Sequence, residues 1–189
     1  MDRLEALVAL TLQWTQKINL ISKTSAQDIW TRHISDSLQL VPLAPRCEIW
    51  ADLGSGGGYP ALVLACHFLE YSPDTRFVLV ESDQRKCAFL RTAIQNLSLN
   101  AQVMAKRIED IPALNADVLS ARALTALPGL LAYCESHLKP KGTALFPKGE
   151  NFQDEVAESL DSWTFAREIH PSLTNSNAAI LKLWDIKRA

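Results

Sequence analysis

Three common sequence features are missing from this chain. No two of its cysteines form a C-x-x-C pair; they are Cys47, Cys66, Cys87 and Cys134. Neither a metal site nor a disulfide framework is therefore expected, and the thiols are predicted to lie reduced in the core.

No apolar run approaches the ~20 residues of a membrane span. The amino terminus, MDRLEALVALTLQWTQ, mixes acids with apolar residues and has no small-residue cleavage site, so we expect a cytoplasmic protein.

Net charge is also small. The chain has 19 basic and 21 acidic side chains, for a net charge of −2. This balance argues against a protein that coats any nucleic acid it meets, so any such contact must be local. With 189 residues and 48% hydrophobic content, the chain can bury one core. We expect a single domain over 1–189.

The amino-terminal part reads as helical. Apolar residues recur at helical spacing through about position 41, after which Pro42 and Pro45 end the section. We therefore predict a helical extension over 1–45 and a core over 46–189.

Strand-like runs alternate with helix-length segments in that core. The runs are EIWADL, RFVLVES, QVMAKR, ADVLSA and GTALFPK, and helices are predicted over 58–69, 84–99 and 126–138. Such alternation predicts a parallel sheet with helices on both faces. A helix over 154–160 follows, and then WTFAREIH and AAILKLWD flank the polar turn PSLTNSN. The predicted fold is thus α/β and Rossmann-like, with an antiparallel hairpin at its carboxyl end.

The most informative segment is DLGSGGGYP, which follows the first strand-like run. Glycines between a strand and a helix let a ligand approach the backbone. A dinucleotide-binding G-x-G-x-x-G loop would need glycine where Tyr59 stands, and no G-K-[ST] follows for a phosphate loop. What remains is an acidic residue, Asp52, before Gly54, Gly56 and Gly58. This form resembles motif I of the class I methyltransferases.

Two further segments are placed to contact a nucleoside. Glu81 ends the second strand-like run, where a carboxylate can accept both ribose hydroxyls. In KRIEDIP, Ile108 could cover the face of an adenine while Glu109 or a backbone amide meets its amino edge. The alternatives are a solvated strand end for Glu81 and an ordinary turn for Glu109.

With these segments placed, the sequence resembles the bacterial GidB/RsmG family, the 16S ribosomal RNA guanine-N7 methyltransferases. The resemblance rests on WTQKINLIS, RHISDSLQL, DLGSGGGYP, KRIEDI, SARAL and FPKG. It implies a seven-stranded Rossmann-like class I fold that binds S-adenosylmethionine as a monomer, with 16S ribosomal RNA or the small ribosomal subunit as partner. The chain departs from the family pattern at Ala61, where glycine is usual, and at Asn177 and Ala178, where an Arg-His pair is usual.

The absent motifs agree with N7 chemistry. Guanine N7 presents an unprotonated lone pair, so its methylation needs positioning and electrostatics and no general base. Enzymes that methylate exocyclic amines carry [DN]-P-P-[YF] after the fourth strand, where this chain has SARAL. No cysteine follows proline or threonine, as attack on a pyrimidine ring would require.

Several polar residues are expected around the opening. No residue is assigned a catalytic role with certainty, and Arg122 is the one candidate. It could anchor the loop, bind phosphate or contact the cofactor, and a structural ion pair is its alternative. The predicted cofactor-binding residues are Gly54, Ser55, Gly56, Gly58, Tyr59, Glu81, Ser82, Ile108, Glu109 and Arg122. The predicted RNA-binding residues are Arg32, His33, Asp36 and Lys148. Arg32 and Asp36 are expected on one helix face, whereas helix packing is the alternative for His33 and solvation that for Lys148.

The residues alone leave rival functions open. A nicotinamide-dependent oxidoreductase is disfavoured by Tyr59. A catalytically silent RNA-binding assembly factor is disfavoured by the intact glycine loop. Within the methyltransferases, a small-molecule substrate is a third alternative.

Overall fold

The computed structural model describes residues 2–189 of the chain. Seven strands form one sheet. They are β1 (Ile49–Leu53), β2 (Arg76–Val80), β3 (Ala101–Met104), β4 (Ala116–Ala121), β5 (Leu138–Lys148), β6 (Trp163–Pro171) and β7 (Ala179–Arg188). Most lie where the strand-like runs predict them, but β5 begins four residues before Gly142 and β7 runs three residues past the predicted end.

The strand order is β3-β2-β1-β4-β5-β7-β6. The first five strands are parallel, and β7 pairs antiparallel with both β5 and β6. The predicted fold class is therefore confirmed. The order reverses between β1 and β4, because the chain continues from β1 to β2 on one side and from β4 to β5 on the other. A crevice opens at such a reversal, beyond the carboxyl ends of the strands.

The helices connect the strands and precede the first of them. They are α1 (Asp2–Thr15), α2 (Lys23–Gln27), α3 (Asp36–Leu38), α4 (Ala61–Tyr71), α5 (Gln84–Asn96), α6 (Leu127–His137) and α7 (Phe152–Ser159). The start of α4 at Ala61 differs from the predicted start at Gly58, because Gly54, Gly56 and Gly58 take positive φ angles that extend the loop.

The core has two halves, one on each face of the sheet. Trp50 and Val118 face α1, α4 and α5, whereas Leu53 and Leu119 face α6 and α7. Alternate residues of β1 and β4 thus point to opposite faces, and nearly all are buried, as expected for central parallel strands. All four cysteines are free and buried in this core, as the sequence predicts.

The amino-terminal extension is less regular than the sequence predicts. Where helical spacing continues to about position 41, the structure has a π-helical turn, Trp30–Ser35, that continues into α3 and then a 3-10 turn, Val41–Leu43. A π-helical turn is rare and is typical of functional sites. Within residues 2–189, no helix is long and apolar enough to cross a membrane.

Candidate active site

The predicted site residues meet at one edge of the sheet. The predicted cofactor residues and Lys148 follow or end a parallel strand at its carboxyl end, around the reversal between β1 and β4, whereas Arg32, His33 and Asp36 reach this edge from the amino-terminal extension. The loop after β1 holds the glycines, β2 is followed by Glu81, β3 by Ile108, β4 by Arg122, and β5 ends at Lys148. Parallel strands place these ends side by side, which is why sequence-distant residues come together.

The glycine loop is shaped by hydrogen bonds to its backbone. Gly56 has a φ of +53°, a left-handed conformation that side chains with a Cβ disfavour. Its N–H donates to Glu81 Oε2 over 2.9 Å, and the second oxygen of Glu81 accepts from the backbone of Asp83 over 2.8 Å. Ser55 donates its backbone N–H to the Val80 carbonyl. Glu81 therefore fixes the loop in addition to facing the site.

A cavity of about 460 Å³ lies above this loop. It contacts every predicted cofactor residue except one: Gly54, Ser55, Gly56, Tyr59, Glu81, Ser82, Ile108, Glu109 and Arg122. The exception is Gly58. Its φ is +84°, and a Cβ there would strike the side chain of Leu62, so it serves the packing of α4 beneath the loop.

The cavity also has walls that were not predicted to contact the cofactor. They are Leu20, Ile21, His33, Gly57, Val80, Lys86, Lys106, Arg107, Ala123, Leu124 and Tyr133. A Cβ at Gly57 would lie 2.9 Å from the Leu20 carbonyl oxygen, so the amino-terminal extension packs directly against the glycine loop. The segment NLIS, which the family resemblance includes, was the available signal for this contact.

Glu109 and Tyr133 meet at the far wall of this cavity. The Tyr133 hydroxyl donates a short hydrogen bond to Glu109 Oε1, and this bond lowers the pKa of the carboxyl. Ile108 beside them is 8% exposed. The apolar Ile108 surface and the Glu109 carboxylate are therefore both present where the sequence predicts an adenine contact.

Asp52, the acidic residue of the motif, lies buried beside the glycine loop and lines neither cavity. It is 1% exposed, and its Oδ1 accepts from the Ser120 hydroxyl over 2.6 Å. Its Oδ2 has no hydrogen-bond partner within residues 2–189. Burial raises the pKa of this carboxyl to about 6. A buried carboxylate with a free oxygen directly before the glycine loop costs stability and is typical of a functional group.

Replacing Asp52 with asparagine is expected to stabilise the protein at pH 7.5. Asparagine keeps the acceptor for Ser120 and removes the buried charge, for a gain of roughly 1–3 kcal/mol. The folded-state pKa lies above the unfolded value, so the penalty in the parent protein is complete above about pH 6 and disappears toward pH 4. Thermal melts of Asp52→Asn should therefore show a higher Tm whose advantage shrinks as the pH falls from 6 to 4. Asp161→Asn, at an exposed turn, is the control, and an equal gain there or a pH-independent gain would contradict the assignment.

Arg122 connects the core to the amino-terminal extension. Its Nη1 donates to Asp36 Oδ2 over 3.1 Å and to the Arg32 carbonyl over 3.3 Å. Its Nη2 lies 2.8 Å from His33 Nδ1. The guanidinium also lies 5.7 Å from the centre of the Tyr59 ring, within range of a cation–π contact. The ion pair that was the structural alternative for Arg122 is thus present, together with contact to the cavity.

The arginine contact fixes the protonation of His33. Since a guanidinium only donates, His33 Nδ1 must accept, and the ring proton lies on Nε2. Burial and the charge of Arg122 lower the pKa of His33 to about 4. The ring stacks on Tyr59 at 4.6 Å. His33 is therefore neutral at physiological pH and serves to hold Arg122.

Asp36 joins this network to the carboxyl-terminal hairpin. Its Oδ1 accepts from Gln39 over 2.8 Å and from the Thr174 hydroxyl over 2.7 Å. Gln39 in turn accepts from the backbone N–H of Leu173. The turn between β6 and β7, where the chain departs from the family pattern, is thus tied to α3. Arg32 and Asp36 both border the second cavity, and Arg122 contacts the backbone carbonyl of the first and the carboxylate of the second.

A second cavity, of about 300 Å³, adjoins the first and shares His33, Arg122 and Ala123 with it. Its wall includes all the predicted RNA-binding residues: Arg32, His33, Asp36 and Lys148. Lys148 is not a free cation there. It lies 2.6 Å from Glu155 Oε2 and donates to the Thr125 carbonyl, and the same glutamate oxygen accepts from the backbone of Leu127.

Comparison with known proteins identifies the family. The sequence profile of GidB, described as rRNA small subunit methyltransferase G, matches residues 1–183. The chain belongs to this family.

Curated GidB relatives cover almost all of the chain. One, the ribosomal RNA small subunit methyltransferase G of Ruegeria pomeroyi, is 48% identical over 187 residues, which is 99% of this chain and 92% of that protein. The protein of the same name from Cereibacter sphaeroides is 50% identical over 183 residues, or 96% and 89% of the two chains. The family resemblance inferred from the motifs is confirmed.

Solved structures share the GidB fold of this chain at low identity. A mutant of MtNAS in complex with S-adenosylmethionine superposes with a TM-score of 0.61 at 16% identity, over 97% of this chain and 74% of that one. TYW2 of M. jannaschii in complex with AdoMet has a TM-score of 0.61 at 12% identity, over 92% and 80%. These likenesses support the class I methyltransferase fold.

Proposed function

We propose that this protein transfers the methyl group of S-adenosylmethionine to N7 of a guanine in the 16S RNA of the small ribosomal subunit. Membership of the GidB family over residues 1–183 carries the proposal. The site agrees with it, because a cavity above a glycine loop adjoins a second cavity bordered by basic residues.

The residues of the first cavity fit S-adenosylmethionine. The glycine loop provides a cradle without side chains, and Glu81 lies where ribose hydroxyls would be accepted. Asp52 lines neither cavity, but its buried charge next to the loop favours a ligand with a positively charged amino group. When bound, the cofactor supplies a methyl group made electrophilic by its sulfonium. Ile108 and Glu109 would hold its adenine.

At the junction of the two cavities, the protein's own side chains position the reacting groups and polarise their surroundings. Guanine N7 has no proton to lose, so a general base is unnecessary. His33 cannot serve as one through Nδ1, because that atom accepts from Arg122. Arg122 donates through Nη1 to Asp36 and the Arg32 carbonyl and through Nη2 to His33, which leaves its Nε–H and one Nη2–H without a partner within residues 2–189. The chain thus orients the reacting groups and surrounds them with a preorganised electrostatic environment.

The rate of the chemical step should be independent of pH between about 6 and 9. The pKa of His33 is lowered to about 4, so its ring stays neutral throughout this interval. Single-turnover methyl transfer to small-subunit RNA, measured across the interval at constant ionic strength, checks this. A steep dependence on one protonation would show that a catalytic base exists.

Unpaired cations around both cavities suit an RNA backbone. Lys86, Lys106 and Arg107 border the first cavity and Arg32 the second, and none forms an ion pair within the described residues 2–189. We assign phosphate contacts to these four, which supply a local basic surface despite the net charge of −2. Lys148, which the sequence predicts as an RNA contact, is instead paired with Glu155.

We assign the reaction to a cytoplasmic monomer, in which the extension over 1–45 completes the cofactor cavity of the core over 46–189. The contact between Leu20 and the loop at Gly57 supports this division of roles.

Transfer of labelled methyl groups tests the function. Intact small subunits lacking the modification, stripped 16S RNA, a short guanine-containing oligonucleotide and a metabolite extract are offered at matched salt. The proposal predicts transfer to small-subunit RNA, with the highest kcat/KM for a structured substrate. Labelling confined to the metabolite extract would overturn RNA as the substrate. Equal kcat/KM for all the RNAs would overturn the preference for a structured substrate.

A further inference from the structure

The second cavity is built differently from the first. The glycine loop does not contribute to it; the end of β5, α7 and the β6–β7 turn do, through Lys148, Glu155 and Asn175. Its volume of about 300 Å³ is at the lower end for sites that enclose a small organic group. Because Arg122 and His33 border both cavities, a group held in the second would meet one held in the first at these residues.

Two carboxylates border the second cavity within the described residues, and only one is fully engaged. Asp36 accepts at Oδ1 from Gln39 and Thr174 and at Oδ2 from Arg122. Glu155 differs, because Lys148 and the Leu127 backbone both bind its Oε2. Its Oε1 forms no hydrogen bond within residues 2–189 and is not among the sealed polar atoms, and the Glu155 side chain, 21% exposed, borders the cavity.

The surroundings keep this glutamate in a fixed orientation. Lys148, 2.6 Å away, is itself held by the Thr125 carbonyl, and the Lys148 side chain is 11% exposed. The Leu127 N–H lies at the amino-terminal end of α6, where a negative charge is favoured. Glu155 thus presents one preorganised, unpaired acceptor oxygen to the cavity.

We infer that the second cavity holds the target guanine and that Glu155 accepts from its N1–H and 2-amino group. This inference rests on the proposed function and adds the residue that selects the base. Guanine carries both donors on the edge opposite N7, so an edge held by Glu155 leaves N7 directed toward the junction at Arg122. Adenine has no N1–H and no 2-amino group, and would leave the carboxylate unpaired.

The variant Glu155→Gln tests the inference while keeping the local structure. Its amide oxygen still accepts from Lys148 and Leu127, and its NH₂ replaces the free acceptor with a donor that faces the donors of guanine. We expect kcat/KM for methyl transfer to unmethylated small subunits to fall about 10- to 100-fold, with unchanged affinity for S-adenosylmethionine. The Tm should fall modestly, because Lys148 loses its counter-charge. Glu158→Gln, on the exposed face of the same helix, is the control and should behave as the parent protein.

A nucleotide titration separates base selection from a structural effect. Guanosine, inosine and adenosine 5′-monophosphates are titrated by NMR in the presence of S-adenosylhomocysteine. The parent protein should prefer the guanosine nucleotide, and Glu155→Gln should lose that preference. If the parent protein methylates small-subunit RNA and Glu155→Gln does so equally well, the inference is wrong and the function stands. If the parent protein transfers no methyl group to RNA, the proposed function fails. Equal binding of the three nucleotides by the parent protein would overturn the guanine site.

Discussion

Arg122→Ala is expected to lower kcat/KM for methyl transfer by at least about 100-fold, equal to ~2.7 kcal/mol of activation free energy. The guanidinium makes contacts to Asp36, His33 and the Arg32 carbonyl. Its removal leaves the Asp36 carboxylate without its counter-charge and His33 Nδ1 without its donor, at the junction of the two cavities. Steady-state kinetics with unmethylated small subunits measure the effect.

Arg122→Lys is the matched control for charge. One ammonium cannot reproduce contacts to three acceptors on two sides of a planar group, so this variant should recover less than a tenth of the lost activity. Affinity for S-adenosylmethionine should change far less than kcat in both variants. Full activity of Arg122→Lys would show that only a positive charge is needed, and full activity of Arg122→Ala would remove the residue from the reaction altogether.

Gly56→Val is expected to weaken S-adenosylmethionine binding by at least about 100-fold. Gly56 has a φ of +53°, and a β-branched residue strongly disfavours this conformation. The loop would have to rearrange and would lose the hydrogen bond from the Gly56 N–H to Glu81. Isothermal titration with the cofactor, in the absence of RNA, measures the change directly.

Gly149→Val provides the comparison for this variant. A Cβ at Gly149 meets nothing within 4 Å, and its φ lies outside the left-handed region. It is also outside the cofactor cavity. Its affinity for the cofactor should equal that of the parent protein, whereas equal affinity of Gly56→Val would show that the glycine loop does not hold the cofactor.

The sheet and the cofactor loop follow from local sequence. Five β-rich runs alternate with helix-length segments, and that alternation alone specifies a parallel sheet. The glycine pattern marks the turn at β1 because few other residues tolerate φ angles such as that of Gly56. Glu81 could be placed for a related reason, since it directly follows the next strand. Its second function, holding the loop through the Gly56 N–H, depends on a contact across 25 residues.

The contacts of Arg122 could not be predicted in the same way. They join residues about 90 positions apart. The π-helical turn that carries His33 has no sequence signature of its own, and helical spacing predicts an ordinary helix there. Its geometry is set by packing against Tyr59 and Arg122. Only the family resemblance pointed to RHISDS as part of the site.

Lys148 and Asp52 show how burial changes the interpretation of a charged residue. A lysine at the end of a strand suggests a phosphate contact, yet Lys148 is paired with Glu155, a residue on a helix that the sequence analysis did not assign to the site. Asp52 was part of the motif but was not counted among the cofactor residues. Its free oxygen and its pKa of about 6 become visible only once the surrounding core is known.

The central claim is that the product is 7-methylguanosine in small-subunit RNA. Unmethylated small subunits are incubated with the protein and S-adenosylmethionine, and the 16S RNA is digested to nucleosides and analysed by mass spectrometry. The account predicts 7-methylguanosine at up to one equivalent per subunit, with none formed by Gly56→Val. A methyl group on another atom or another base, or no methylated nucleoside in the 16S RNA, would contradict it.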